Sequence, residues 1–183
     1  MNFKRWLLVT VFLFVAGLLL GFITPPNATI GIISEQVTAL GKFAEILAPL
    51  PKPAIAIFIF LKNVSAVLLS IVFSPVFCLL PIFVLISNGW VIGLISETVI
   101  AEKSAVYLLA GLLPHGIFEI PALIIGEATA LSFGTAVLVA LFKRRKSGIL
   151  NNIKQNLKYL VLSVLLFLPA AIIETYITPL LLG

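Results

Sequence analysis

The chain has 183 residues, of which 61% are hydrophobic and only 10% charged, and its mean hydropathy is +1.23. Soluble domains carry about 25% charged and about 45–50% apolar residues, and one domain of this length cannot hide so much apolar surface from water. That excludes a soluble enzyme, a disordered tail and a nucleic-acid module. The net charge of +5 would suit nucleic acid in a soluble protein. Here, however, Lys143-Arg144-Arg145-Lys146 form one block directly after an apolar run, as membrane proteins mark their cytoplasmic side.

Lys4 and Arg5 precede an uncharged run from Trp6 to Thr24, long enough to cross a hydrocarbon core of about 30 Å. It exceeds the about 7–15 apolar residues of a signal peptide, and it ends in Pro25-Pro26 rather than a small-residue cleavage site. A retained first helix is expected, with Gly17 and Gly21 as a close-approach pair. Over residues 28–50, Ile30, Ile33, Val37, Leu40, Ala44 and Leu47 recur at helical spacing. Glu35, Thr38, Lys42 and Glu45 lie mostly off that stripe. This pattern predicts an amphipathic helix lying in the membrane interface, ended by Pro49, Pro51 and Pro53.

From Ala54 to Ser96 the chain is apolar apart from Lys62, too long for one crossing. Pro75 divides it into helices over about 54–73 and about 77–97, the second carrying the pair Gly89 and Gly93. After a polar loop with Glu97, Glu102 and Lys103 comes Ser104 to Phe142, which contains Pro114, Gly116 and Pro121. These predict a helix broken between Pro114 and Pro121. Beyond it Ala122, Gly126, Ala130 and Gly134 make a small-residue packing ridge. Residues 143–158 read as a basic cytoplasmic loop, and Tyr159 to Leu182 as the last crossing. The fold class is therefore all-α: a single transmembrane domain over 1–183, with about five crossings in the cell membrane. Its amino terminus is expected in the cytoplasm and its carboxyl terminus outside. Lys42 and Lys52 fall outside in this scheme, against the general tendency.

Charge buried among apolar residues is expensive and marks candidate sites. His115 and Glu119 are four residues apart and share a helical face. They could be two ligands of a divalent metal such as zinc, a hydrogen-bonded pair, or a proton relay. Alternatively, His115 satisfies a backbone carbonyl freed at Pro114. Residues 113–119 and 168–174 both fit L-P-x-x-I-x-E, and packing of the two would bring Glu174 to Glu119 and His115. Glu127 lies beyond Pro121, so its direction is open. Lys62 could snorkel or act as a counter-charge, while Asn63 and Asn88 are candidates for hydrogen bonds between helices. Cys78, the sole cysteine, fits no metal pattern.

The run Pro114-His115-Gly116-Ile117-Phe118-Glu119-Ile120-Pro121-Ala122, with Ile172-Ile173-Glu174-Thr175-Tyr176-Ile177-Thr178-Pro179, resembles the stage II sporulation protein M family of integral membrane proteins. The similarity covers most of the chain, Lys62-Asn63 included, although the family typically has paired asparagines where this chain has Asn63-Val64. The resemblance implies a multi-helix membrane fold and weight on the P-H-G-x-x-E segment. The namesake acts in spore engulfment as an apparent anchor or scaffold, a role not to be carried onto this chain.

Three functions are open on these grounds. The first is an ion- or metal-binding transporter- or channel-like protein built on the buried His and Glu residues. The second is a membrane scaffold with protein partners. The third, an intramembrane metallohydrolase, lacks H-E-x-x-H and has one histidine only, so enzyme activity is not favoured. The small-residue ridges make a homodimer the simplest assembly.

Overall fold

The computed structural model describes residues 3–24, 49–143 and 149–182. Apart from Pro49 and Leu50, the interfacial helix expected over 28–50 lies outside the described residues, as do Arg144, Arg145 and Lys146 of the basic block. The described residues contain no strand. They form α1 (Phe3–Ile23), α2 (Lys52–Phe73), α3 (Leu79–Glu102), α4 (Ala105–Phe142), α5 (Ile149–Tyr176) and the short α6 (Thr178–Leu182). The first five are long and apolar enough to cross a membrane, as the hydropathy pattern predicts.

The distribution of side chains is inverted relative to a soluble protein. Leu8, Phe12, Phe83 and Val106 are exposed, whereas Thr10, Ser70, Glu127 and Ser163 are fully buried. Lipid gives apolar groups no reason to turn inward, so packing and polar contacts organise the interior. Along the α1–α3 seam, a side chain at Gly17 would strike the Ile86 carbonyl, and one at Gly21 the Trp90 carbonyl. Reciprocally, Gly89 lies against the Phe14 carbonyl and Gly93 against that of Leu18. Because both sets of partners advance together, α1 and α3 run parallel, backbone on backbone.

The long α4 touches every other described helix. Its ridge residue Gly126 accommodates Val67 and Ser163, and Gly134 accommodates Ser74 at the end of α2. The six ridge glycines thus face helices of the same chain. The α2–α3 corner spans Ser74 to Cys78, with Phe77 and Cys78 in the left-handed region at φ 52° and 56°. That conformation costs roughly 1–2 kcal/mol per residue. Contacts of Cys78 Sγ with the Leu131 carbonyl (3.9 Å) and Thr135 Oγ1 (3.7 Å) hold the corner on α4.

Beyond the polar loop expected at Glu97 and Glu102, which is instead the last part of α3, two features differ from the sequence expectation. The helix does not break between Pro114 and Pro121; α4 is continuous for 38 residues with both prolines inside it. A proline in a helix costs about 3 kcal/mol. Unwinding this stretch would free several backbone groups in hydrocarbon, each costing several kcal/mol, so continuity is the cheaper state. At 1.5 Å per residue α4 is about 57 Å long, more than a bilayer core. It passes the end of α2 at Gly134 and continues to Phe142. The second difference is that residues 149–158 form the first turns of α5 rather than loop. Asn152 and Asn156 there both donate to Ser132 Oγ on α4, at 3.0 and 2.9 Å.

Candidate functional site

The helix directions decide which polar groups meet. The α2–α4 contacts pair Asn63 with Glu119, Val67 with Gly126, and Ser74 with Gly134, so these helices run parallel. The α4–α5 contacts pair Ala122 with Ser163 and Ser132 with Asn156, so these run antiparallel. Antiparallel packing lets the two L-P-x-x-I-x-E stretches approach each other, although they lie far apart in sequence. Asn63 sits near the middle of α2, which places this level deep in the spanning bundle.

Glu119 has a polar neighbour at each oxygen. Asn63 Nδ2 donates to Oε1 at 3.2 Å, and Oε2 lies 3.9 Å from His115 Nε2 one turn earlier on α4. The other ring nitrogen of His115, Nδ1, stands 3.3 Å from Thr178 Oγ1 at the start of α6. A hydroxyl donates or accepts as required, so Thr178 supports either tautomer and leaves Nε2 free to hold a proton toward Glu119. Glu174 lies within Coulombic reach of Glu119, His115 and Lys62. The imidazole and the Glu119 carboxylate on α4 therefore form the centre, with an amide from α2, a hydroxyl from α6 and the Glu174 carboxylate of α5 nearby, while Lys62 is exposed on α2. In a low-dielectric bundle each charge is tolerable because an opposite or titratable partner stands beside it. Such an arrangement can pass a proton between imidazole and carboxylate, or surround a small cation with oxygen and nitrogen. Among the described residues, no three His, Cys, Asp or Glu side chains are grouped closely enough to hold a metal ion.

Of the residues singled out in the sequence, His115, Glu119 and Asn63 come together, Glu174 lies near them on α5, and Lys62 is exposed on α2. Glu127 does not join them. It lies about 12 Å further along α4, where it faces Ser70 of α2. Both carboxylate oxygens of Glu127 and the Ser70 hydroxyl are buried without a well-formed hydrogen bond among the described residues. Asn88 is also separate: it is exposed, and its amide donates to the Val84 carbonyl of its own helix at 2.8 Å. Sequence spacing signals two further polar partners, Thr178 and Ser70. Thr178 follows Glu174 by four residues, and Ser70 follows Asn63 by seven on one helical face.

The family model described as Stage II sporulation protein M matches residues 9–179. The chain is 34% identical over 120 residues to the uncharacterized protein MJ0793 of Methanocaldococcus jannaschii, covering 64% of this chain and 67% of that protein. It is 37% identical over 100 residues to MJ0706 of the same organism, covering 53% of this chain and 45% of that one. The chain thus spans less than half the length of the second relative. No solved structure matches.

Proposed function

The chain belongs to the stage II sporulation protein M family, and from that premise we propose that it is a transporter- or channel-like membrane protein handling a proton or small cation. The observation carrying this reading is the pairing of His115 with Glu119 near the middle of the spanning helices, supported by Asn63 and Thr178, with Glu174 of α5 nearby. If helix cohesion alone were required, neutral hydroxyls and amides would supply it at far lower desolvation cost. Titratable groups at this depth are the usual mark of an ion or proton path. His115 and Glu119 would exchange the proton or coordinate the ion, Asn63 and Thr178 would orient them, and Lys62 would balance the second carboxylate. A divalent metal fits less well, because no three-ligand group is assembled among the described residues.

The accompanying orientation places the α1 start and the Lys143 end of α4 in the cytoplasm. The decisive experiment is ion and proton flux in proteoliposomes containing the full chain, compared with Glu119→Gln and His115→Ala. Loss of flux in both variants, with folding retained, is the expected result. Flux unchanged in both overturns it.

A second reading, a membrane scaffold, has one observation of its own: the backbone-close α1–α3 seam makes a rigid platform. On that reading neutral isosteric replacements alter partner capture and leave every flux unchanged.

A further inference from the structure

At the basic end of the bundle, Phe3, Ser132, Asn152, Gln155, Asn156, Lys158 and Tyr159 line an open cleft of about 220 Å³. We propose that this cleft binds the phosphate headgroup of an anionic phospholipid. Three observations carry the inference, none depending on transport.

The first is the lining. It offers amides, two hydroxyls and an ammonium, and no carboxylate. Ser132 Oγ already accepts from both Asn152 and Asn156, so its own hydrogen remains to be donated. Asn156 and Ser132 are themselves buried. They form a built floor rather than a set of loose surface side chains.

The second is charge. Lys4, Arg5, Lys143, Lys154 and Lys158 gather at this end. None of the described glutamates lines the cleft: Glu97 and Glu102 lie toward the end of α3, Glu119 within α4 and Glu174 near the end of α5, while Glu127, about 7.5 Å along α4 from Ser132, faces Ser70 of α2. An anion is attracted here and a cation repelled.

The third is depth. The polar opening of α5 gives way at Tyr159 to its apolar part, and Tyr159 stacks on Phe3 with ring centroids 3.6 Å apart. Aromatic rings at such a junction mark the headgroup level of a bilayer. Lys158 Nζ lies over the Tyr159 ring at 4.9 Å, at that same level. A phosphate on a diacyl anchor reaches this place from the membrane plane, and basic pockets between helices on the cytoplasmic side bind such headgroups.

The test uses the purified full chain in detergent. Native mass spectrometry would follow titration with phosphatidylglycerol or phosphatidylcholine of matched acyl chains. Phosphatidylglycerol is expected to bind in preference, and Lys158→Gln to weaken it by about five-fold, the effect of one interfacial lysine. Lys154→Gln removes the same charge one turn away, outside the cleft, and is expected to leave binding nearly unchanged. Equal binding of the two lipids overturns the proposal. So does an equal effect of the two lysine variants, which would mean diffuse surface charge. Displacement of the lipid by millimolar inorganic phosphate would reassign the cleft to a soluble anion and overturn it as well.

Discussion

At the scale of single residues, Glu119 is the side chain on which the polar interior turns, because each of its oxygens has its own neighbour. Its bond from Asn63 crosses from α2 to α4. Hydrogen bonds of this kind in membrane bundles contribute about 1 kcal/mol. A double-mutant cycle of Asn63→Leu and Glu119→Leu, followed by unfolding in detergent, is expected to return a coupling of that size. A coupling near zero would mean the two side chains do not meet. Glu127 stands differently, with both oxygens buried and no well-formed bond among the described residues. Leaving a buried polar group unpartnered costs about 1–3 kcal/mol. The double replacement Glu127→Leu with Ser70→Ala is therefore expected to hold or raise thermal stability. A fall of more than a few degrees would indicate a bond that forms in the membrane.

At the scale of elements, the helix seams depend on absent side chains. The Gly21 position faces the Trp90 carbonyl and the Gly93 backbone, and backbone cannot turn aside as a flexible side chain does. Gly21→Leu is expected to cost about 3 kcal/mol or more by overpacking, seen as a lowered melting temperature and loss of the α1–α3 contact in cross-linking. Gly111 meets only Leu182 methyl groups at 3.5 Å and beyond. Gly111→Ala should thus be tolerated and serves as the control. Pro121 is exposed within a continuous helix, so Pro121→Ala restores a backbone donor to the Ile117 carbonyl. A gain in stability of up to about 3 kcal/mol is expected. A loss would show that the proline sets a bend on which the packing depends.

At the scale of the whole molecule, the α1 start stacks on Tyr159 in the first half of α5 while α6 follows the far end of α5, so the two lie toward opposite ends of the bundle. Cys78 is the only cysteine and is buried, which leaves a silent background for labelling. Under the proposed orientation, Lys154→Cys should react with an impermeant thiol reagent only from the cytoplasmic side, and Lys103→Cys only from the other. Both residues are exposed. Labelling of both from one side would remove a crossing. The glycine ridges that suggested a homodimer are filled by helices of the same chain, so a second copy would need a different face.

Much of this was legible in the residues alone. Scarcity of charge fixes the solvent, apolar run lengths fix the number of crossings, and the small-residue spacing marks the seams, because each follows from local chemistry and helical period. The residues of the polar cluster were legible for a related reason: charge in an apolar run must find company. Their company was not. Glu127 and Asn88 look like Glu119 and Asn63 in sequence, yet only the latter two meet, because helix direction and rotation decide which face a residue presents. Continuity through Pro114 and Pro121 is likewise a tertiary outcome, since local propensity disfavours those prolines and only the hydrocarbon surroundings make unwinding costlier. The sequence by itself determined that buried charge exists here and on which segments. The tertiary structure alone decided that α4, parallel to α2 and antiparallel to α5, brings His115 and Glu119 against Asn63 and Thr178 and leaves Glu127 apart.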